Sequence, residues 1–533
     1  MVNLSRILVV GAGPAGLTLA LKLARAGISP TLVDAADGPA SYSRAILLQA
    51  RSLEVLGYAL AKRVADLGQV IHSAKVVAAK KEVLQLPLGS GVGLFEYPIS
   101  ISQPELESLI IDELSQLGVQ VHWGTKVTGL SRTKSPTVSF SDGRTEEFDF
   151  LIGADGAQST VRQLAGIQVN SLGSVEHWIA ADLEIASDDL PRDRALMSLD
   201  QGRITALFPQ GKTNLFRLVR TSLAGDEQSD SYWADVLQEF DIFQSPAVLW
   251  SSRYEVHEQA AQSMRKDRVF LVGDAAHSHS PIGGQGMNLG ILEANNLAWK
   301  LALVSGGANE RILDTYAEER SPYAALAMTK AAAAFRSVKI RNSLLTKIRS
   351  FLLGASAVGP VRDYLTSAIT RQSERYPAHG LNQEFFDSVQ VADWDELPEQ
   401  QDVDDYQDAP GAGKQLEPES EELWRLLDHG KFTVFLLDGR SKSKDGIERI
   451  AATLEYLHRQ PQFATHLITS HPQDFPGREL IADESLSLHA EFGAKTESVF
   501  VVRPDGHIGF RSSPIDISAL EDWWEEILEG EFL

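Results

Sequence analysis

Cysteine is absent from all 533 residues. That excludes disulfides, thiolate metal sites and thiol catalysis together. Cationic side chains are scarce: 49 lysines and arginines stand against 72 aspartates and glutamates, a formal net charge of −23. Such a balance argues against nucleic acid or an anionic membrane as the main partner. Uninterrupted apolar runs of the roughly eighteen residues that a membrane-spanning helix needs are missing too. "SRILVVGAGPAGLTLALKLA" has Arg6 before an apolar run, as a signal peptide would, but Gly11, Gly13 and Gly16 interrupt it. "FLLGASAVGPV", from Phe351, is too short and contains glycine and proline. A cytosolic protein is expected.

What remains is ordinary globular composition, 43% hydrophobic and 23% charged, in a chain too long for one core. Arg6–Val10 reads as a buried strand, Pro14–Ala26 as a helix with proline in its first turn, and Ile28–Asp34 as a second strand. This opens a parallel βαβ unit. "QPELESLIIDELSQLG" puts Leu106, Leu109, Ile110, Leu114 and Leu117 on one helical face. From Ser174 to about Met264 the texture turns β-rich, which suggests an inserted antiparallel sheet. A buried strand at Val269 and a largely helical region to about Arg375 follow. Residues 382–422, with "ADWDELPEQQDVDDYQDAPGAGKQLEPESEE", read as an acidic linker. The boundaries expected are 1–173 and 265–381 for the two parts of one α/β domain. The inserted sheet takes 174–264, and 423–533 forms a separate α/β domain.

Three motifs carry chemistry. "VVGAGPAG" supplies G-x-G-x-x-G as Gly11, Gly13 and Gly16, with Pro14 and Ala15 between. The first glycine permits a tight turn, the second lets backbone approach a pyrophosphate, and the third lets helix pack on strand. Asp34, eighteen residues past Gly16, ends the second strand where a carboxylate accepts from a ribose hydroxyl. In "FDFLIGADGAQSTVR" a buried strand ends at Gly153, and Asp155 and Gly156 turn the chain ahead of Ser159 and Arg162. The third motif, "RVFLVGDAAHSHSPIGGQGMN", crowds Asp274, His277, His279 and a glycine run between strand and helix. A plain turn with Asp274 as helix cap, a phosphate loop and a metal site all fit that crowding at first sight. Two histidines without further partners are poor evidence for metal, and none is expected.

In this order the three motifs resemble those of the FAD-dependent aromatic hydroxylases, single-component flavoprotein monooxygenases, over roughly Ser5 to Arg375. The acidic break, "DAPGAGKQL" and "VFVVRPDGHIGFR" further resemble the longer subgroup of phenol and polyketide hydroxylases, whose tail is thioredoxin-like. The resemblance implies an α/β architecture: a Rossmann-type FAD-binding domain with an inserted antiparallel substrate sheet, then a thioredoxin-like domain, here without cysteines. It implies FAD as cofactor and NADPH or NADH as transient co-substrate. Asp274 would bind a ribityl or ribose hydroxyl. Pro281 to Asn288 would pass beneath the flavin, with Gly283, Gly284 and Gly286 leaving room for the ring and Met287 opening the helix aimed at it. Arg44 and Arg51 match family arginines, although Arg51 equally suits a helix surface. Gln103 matches a position that reaches the flavin, Val127 falls where backbone meets adenine, and Asp155 of the central "GADG" is expected to contact the cofactor. The departure is Ile46, which stands where simple-phenol hydroxylases carry an acid.

The implied cycle is hydride transfer to FAD, O₂ addition at C4a to give the hydroperoxide, and oxygen transfer to an electron-rich aromatic carbon of a phenolic or polyketide-like molecule. Pro281 would line the reacting face. A base would help a phenol react, and His257, Tyr254, Tyr232 and His177 are the candidates. The same three motifs also suit an FAD-dependent reductase, dehydrogenase or epoxidase acting on an isoprenoid or alkene, or a flavin-bearing regulatory protein. A homodimer is compatible with the tail.

Overall fold

The computed structural model describes residues 5–41, 45–89, 93, 95–171, 175–186, 190–200, 202–211, 213–223, 226, 230–281, 284–338, 376, 380–385, 410–416, 421–427, 430–440 and 445–530. The chain divides into two compact units, one of 4–298 with 320–372, the other of 1–3, 299–319 and 373–533.

The first unit is organised by a sheet in the order Arg265–Lys266, Val269–Leu271, Phe150–Gly153, Ile7–Val10, Thr31–Val33 and Val121–His122. All neighbours are parallel except the edge strand Arg265–Lys266. Ile7–Val10 lies inside it and is buried at every position, as a strand covered on both faces must be. Val10 stands opposite Gly153, and Gly153 opposite Leu271. Three strands far apart in sequence therefore end side by side at one edge. The loops that follow them are the three motifs.

The second sheet runs Ala247–Val256, Glu176–Glu184, Leu215–Thr221, Arg203–Gln210, Arg194–Asp200, Ser73–Ala78 and Lys81–Pro87. This corrects the expectation of an antiparallel insert confined to 174–264. The hairpin Ser73–Pro87 comes from the preceding part of the chain, and Ser73–Ala78 pairs with Arg194–Asp200 in parallel. Side chains alternate between the faces of a strand. Ile179, Ala181, Leu183, Leu207, Phe216 and Leu218 pack under the helix Asp230–Leu237 with Trp233 and Val236. Trp178, Ala180, Ile204 and Tyr254 point to the other face. So does Phe208, which with Ala195 meets Ile46, Leu47, Ile71, Ala74 and Leu88.

The second unit has a sheet in the order Gln383–Phe385, Ile508–Ser512, Ser498–Val502, Phe432–Leu437, Phe463–Thr469 and Ile481–Ala482. Its core holds Phe435, Phe492, Phe500 and Ile508. Here too the expected boundaries shift. Gln383–Phe385 sits inside the stretch read as linker, yet pairs with Ile508–Ser512, and the Gly413 N–H donates to Ile508 O at 2.8 Å. The acidic run 386–409 between them lies outside the described residues, as do 339–375 of the expected helical region. Trp299–Glu319, read as part of the cofactor domain, also belongs to this unit. Arg503 shows why. Its guanidinium grips Glu319 through Nη1 (2.6 Å) and Nη2 (2.9 Å) and Asp505 through Nη2 (2.6 Å). Lys300 Nζ lies 2.6 Å from Glu319, and Trp299 Nε1 donates to Asp505 at 3.1 Å. All four charged groups are buried, and two cations balance two anions. Removing one partner of such a cluster strands the rest without water. Arg503→Met is expected to lower the unfolding free energy by about 3–5 kcal/mol, measured by urea titration. A loss under about 1 kcal/mol would show that the cluster contributes little.

A second charged group in this unit is pH-sensitive. His489 is buried between Asp483, 2.8 Å from Nδ1, and Asp438, 2.8 Å from Nε2. Burial favours the neutral imidazole, but the two carboxylates outweigh it and raise its pKa above the ordinary value. Burial likewise favours protonated Asp438 and Asp483, but hydrogen bonds with His489 outweigh it and lower both. The histidine's contribution is complete below its unfolded pKa of about 6.5 and is lost as pH rises through the raised folded value. The aspartates' contribution is present above about 3.9 and is lost as pH falls through their depressed folded values. Stability of this unit should decline on the alkaline side, and His489→Gln should remove that limb. Urea midpoints measured against pH for both proteins test this, and superimposable alkaline limbs would refute it.

Candidate active site

The glycine loop follows Ile7–Val10 directly. Gly11 has φ +108°, and a Cβ there would stand 2.3 Å from the Ala154 carbonyl oxygen. A Cβ on Gly16 would stand 1.9 Å from Gly11 O. These two glycines are required by the protein's own packing. Around Gly13 nothing lies within 4 Å of the corresponding position. That open position, at the N-cap of the helix Pro14–Arg25, is where a pyrophosphate would be met by N–H groups and the helix dipole. Asp34 braces the loop: Oδ2 accepts from the Ala12 N–H at 2.7 Å and Oδ1 from the Ala36 N–H at 2.8 Å. Each oxygen keeps a lone pair for a hydroxyl. Asp34 O also accepts from Thr125 N–H at 2.8 Å, which brings the loop before buried Val127 alongside. Ala15 packs on the third motif, since a Cβ on Gly273 or Gly290 would lie 3.3 or 3.0 Å from its own.

The second motif turns out to be a brace. Asp155, expected to meet the cofactor, accepts from Ser159 Oγ at 2.5 Å and from the Val161 N–H at 3.0 Å. Burial keeps its pKa above the ordinary value despite those hydrogen bonds. Buried Arg162 donates to Ala275 O at 2.7 Å and Ala157 O at 2.8 Å, tying this turn to the third motif.

In the third motif the histidines separate. His277 is buried with Nε2 2.5 Å from Glu293 Oε1, and Glu293 Oε2 accepts the Gly273 N–H at 2.8 Å. Burial favours the neutral ring, but Glu293 raises its pKa. His277 thus holds the turn. His279 instead flanks Gly286 beside exposed Asp274. Among the described residues no group of three or more metal-ligating side chains is placed to hold an ion. Gly284 (φ +62°) passes close to Leu47, and half-buried Pro281, Gly286 and Met287 follow the same path. Asn288, expected to touch the cofactor, is fully buried. It donates to Leu47 O (2.9 Å) and Gly284 O (2.7 Å), and accepts from Gln49 N–H (2.9 Å). It pins the glycine run to the strand Leu47–Leu48.

Gln103 opens a helix fixed by a capping box of Ser102 and Glu105 and donates to Glu107 at 2.7 Å. Burial, opposed by that hydrogen bond and aided by the Asp34 charge, pushes the Glu107 carboxyl up to about 7. Sequence reasoning missed Glu107; a glutamate on the apolar face of that helix was the available signal. Arg51 pairs with Glu54 at 2.7 Å. Arg44, Ile282 and Gly283 lie outside the described residues.

The four base candidates do not share one place. Tyr254 lies on the sheet face that carries Phe208 toward Ile46 and Leu47. Tyr232 packs on the opposite face. His257 and His177 are exposed and stand 3.5 and 3.6 Å from Glu255. The inner face also holds an ion pair absent from the sequence reading. Buried Arg217 donates Nε and Nη2 to Asp182 at 2.6 and 3.0 Å, beneath Trp250. A charge at a core-facing register in "WIAADLEIA" and "NLFRLVR" was the readable clue.

A parallel sheet, an open glycine at a helix N-cap and a carboxylate ending the next strand define a dinucleotide-binding protein. Residues 5–331 match the FAD binding domain family, and the chain belongs to it. It is 33% identical over 354 residues to a 6-methylpretetramide 4-monooxygenase of Streptomyces rimosus, an alignment covering 64% of this chain and 63% of that one. It is 32% identical over 388 residues to a rifampicin monooxygenase of Rhodococcus hoagii, covering 70% and 79%. Its fold matches the crystal structure of the flavin-dependent monooxygenase PieE in complex with FAD and substrate, at TM-score 0.76 and 22% identity over 98% of both chains. The residues fit FAD, with open space at Gly13 and a side-chain-free path at Gly284 and Gly286.

The glycines make a sharp test. Gly13→Val is expected to fold with its melting temperature little changed and to lose the yellow flavin. Gly16→Val, which meets backbone, should lose the fold itself. Absorbance at flavin wavelengths and circular dichroism separate the outcomes, and a fully yellow Gly13→Val protein would refute the assignment.

Proposed function

We propose that this chain is an FAD-dependent monooxygenase that hydroxylates a bulky phenolic or polyketide-like aromatic molecule, using NADPH or NADH and O₂. Overall, substrate C–H, NAD(P)H, a proton and O₂ give substrate C–OH, NAD(P)⁺ and water. The observation that carries the reading is the meeting of two surfaces. The glycine run at Gly284 passes Leu47, and Leu47 with Ile46 packs on the apolar sheet face that carries Phe208 and Ala195.

Bound FAD supplies the redox chemistry, accepting a hydride and activating O₂ for transfer of one oxygen atom. The chain supplies the rest. Gly13, the helix Pro14–Arg25 and Asp34 would hold the adenosine and pyrophosphate end. Asp274 would accept from a hydroxyl of the same molecule. The N-terminus of the helix Gly286–Ser305 would turn its dipole toward negative charge developing on the bound cofactor. The apolar wall excludes water. Tyr254 is the base candidate on the face turned to that wall.

The tail fits a thioredoxin-like module, with the parallel pair Phe432–Leu437 and Phe463–Thr469 flanked by the antiparallel strands Ser498–Val502 and Ile508–Ser512. Without cysteine it performs no dithiol exchange, and a stabilising or dimer-forming role suits it. No described helix is long and apolar enough to cross a membrane.

Ile46 is 5% exposed and sits among Leu47, Ile71 and Leu88. An apolar wall rewards apolar area, roughly 0.8 kcal/mol for each extra buried CH₂. Multi-ring phenols are therefore expected to give NAD(P)H oxidation coupled to a product one oxygen heavier, and phenol itself to turn over poorly. Efficient coupled hydroxylation of phenol, with multi-ring compounds inert, would overturn this substrate class.

A further inference from the structure

Adjacent strands of the second sheet set four side chains in one row on its inner face. Phe208 stands opposite Arg217, Arg217 opposite Asp182, and Asp182 opposite Trp250. Residues directly opposite in antiparallel strands share a face. The row therefore reads aromatic, cation, anion, aromatic. It starts where Phe208 packs on Ile46 and Leu47, and Leu47 is the residue that the glycine run passes at Gly284. From there it leads away. Strands lie about 4.8 Å apart, so Phe208 and Trp250 are separated by roughly 14 Å, which one ring does not cover and about three fused rings do. Both aromatic ends are half-buried, so each keeps a surface to offer. Just past Trp250 the register slips: Leu183 faces Val248, and Leu249 is left as a bulge. A bulge re-aims the side chain beside it.

The middle of the row sets its charge. Asp182 accepts from Arg217 Nε and Nη2 at 2.6 and 3.0 Å and from Gln210 Nε2. The Arg217 guanidinium lies 5.5 Å from the centre of the Trp250 ring. Its side chain is 1% exposed and that of Asp182 12%. The pair is neutral as a whole, but the part of it within reach of a ligand is the anion. A carboxylate laid along the row would meet a second carboxylate whose counter-ion is already engaged, and like charges so placed repel.

We propose that this row seats the substrate and selects an uncharged polycyclic aromatic molecule. Phe208 and Trp250 contact its rings at the two ends, and Asp182 turns away aromatic acids. Arg217 is a positioning residue that holds Asp182 and Trp250. The inference deepens the monooxygenase reading above and rests on it.

The test measures dissociation constants by equilibrium dialysis on oxidised, FAD-loaded enzyme without NAD(P)H. The probes are phenol, hydroxyanthracene, and a hydroxyanthracene carboxylic acid with its carboxyl on the ring farthest from the hydroxyl. Wild type should bind hydroxyanthracene at least about tenfold more tightly than either phenol or the acid. Trp250→Ala should reduce the preference for hydroxyanthracene over phenol about five- to tenfold, and Trp250→Phe should restore it to within about threefold of wild type. Asp182→Asn should narrow the gap between hydroxyanthracene and its acid to within about threefold. Loss of packing alone would weaken all three probes together and leave these ratios unmoved. An unmoved ratio in Trp250→Ala overturns the proposal, with Trp250→Leu carrying the comparison if the alanine variant does not fold. So does a wild type that binds the acid or phenol as tightly as hydroxyanthracene, which needs no variant. Turnover with NADPH or NADH and O₂ separates the two readings. Hydroxyanthracene that binds as stated yet gains no oxygen would refute the monooxygenase reading. A product one oxygen heavier, with the binding ratios unmoved, would refute the seat alone.

Discussion

The parallel register of Ile7–Val10, Phe150–Gly153 and Val269–Leu271 sets where every cofactor-side loop can lie. Parallel strands all end at the same edge, so the chain must leave each of them in the same direction. Backbone hydrogen bonds carry the pairing past the strand ends: Ala154 N–H donates to Val10 O and Val272 N–H to Gly153 O. The turns are therefore locked to one another before any side chain acts. Where they touch, there is little or no room for a Cβ. Gly11 lies against Ala154, Gly16 against Gly11, and Gly273 and Gly290 against Ala15. These contacts would hold with no ligand present, which distinguishes them from Gly13.

Acids in and beside the three loops divide by the same logic. Asp155 caps the turn before Thr160–Leu164, and Glu293 holds His277 and the Gly273 N–H. Each satisfies backbone that would otherwise be buried and unpaired. Asp34 braces Ala12 and Ala36 and keeps a lone pair on each oxygen. Asp274 is exposed instead of buried, so it can meet a ligand. A carboxylate in a motif is thus no guide to ligand contact until its hydrogen bonds are known.

This explains what was legible in the sequence. The strand, turn and helix around Gly11 to Gly16 are local, and local pattern suffices for them. The order and type of the three motifs marked the cofactor class. Pairing over long separations leaves no such trace. Nothing in "SAKVVA" says that Ser73–Ala78 will pair with Arg194–Asp200 more than a hundred residues later. Nor does the acidity around Gln383–Phe385 reveal a partner in Ile508–Ser512. Tyr232 and Tyr254 looked equivalent as phenols. Their sheet faces separate them, and a face depends on register, where a shift of one residue reverses it.

The C-terminal unit carries the same lesson into energetics. A linker rich in acid, proline and glycine suggests a tail that could be cut away cleanly. Yet the tail's buried Arg503 is neutralised by Glu319, which precedes the linker by many residues, and Asp505 is met by Trp299. An isolated 423–533 fragment would carry Arg503 and Asp505 into its core without Glu319 or Lys300. A guanidinium in low dielectric needs its full set of acceptors, and one carboxylate does not supply them. The folding unit is therefore the discontinuous one, with residues 299–319 built into it. A chain without a single cysteine has no disulfide to hold such a tail. Buried charge pairs between distant segments can do that work, and they also specify which segment belongs there, because any apolar substitute would leave an unpaired ion behind.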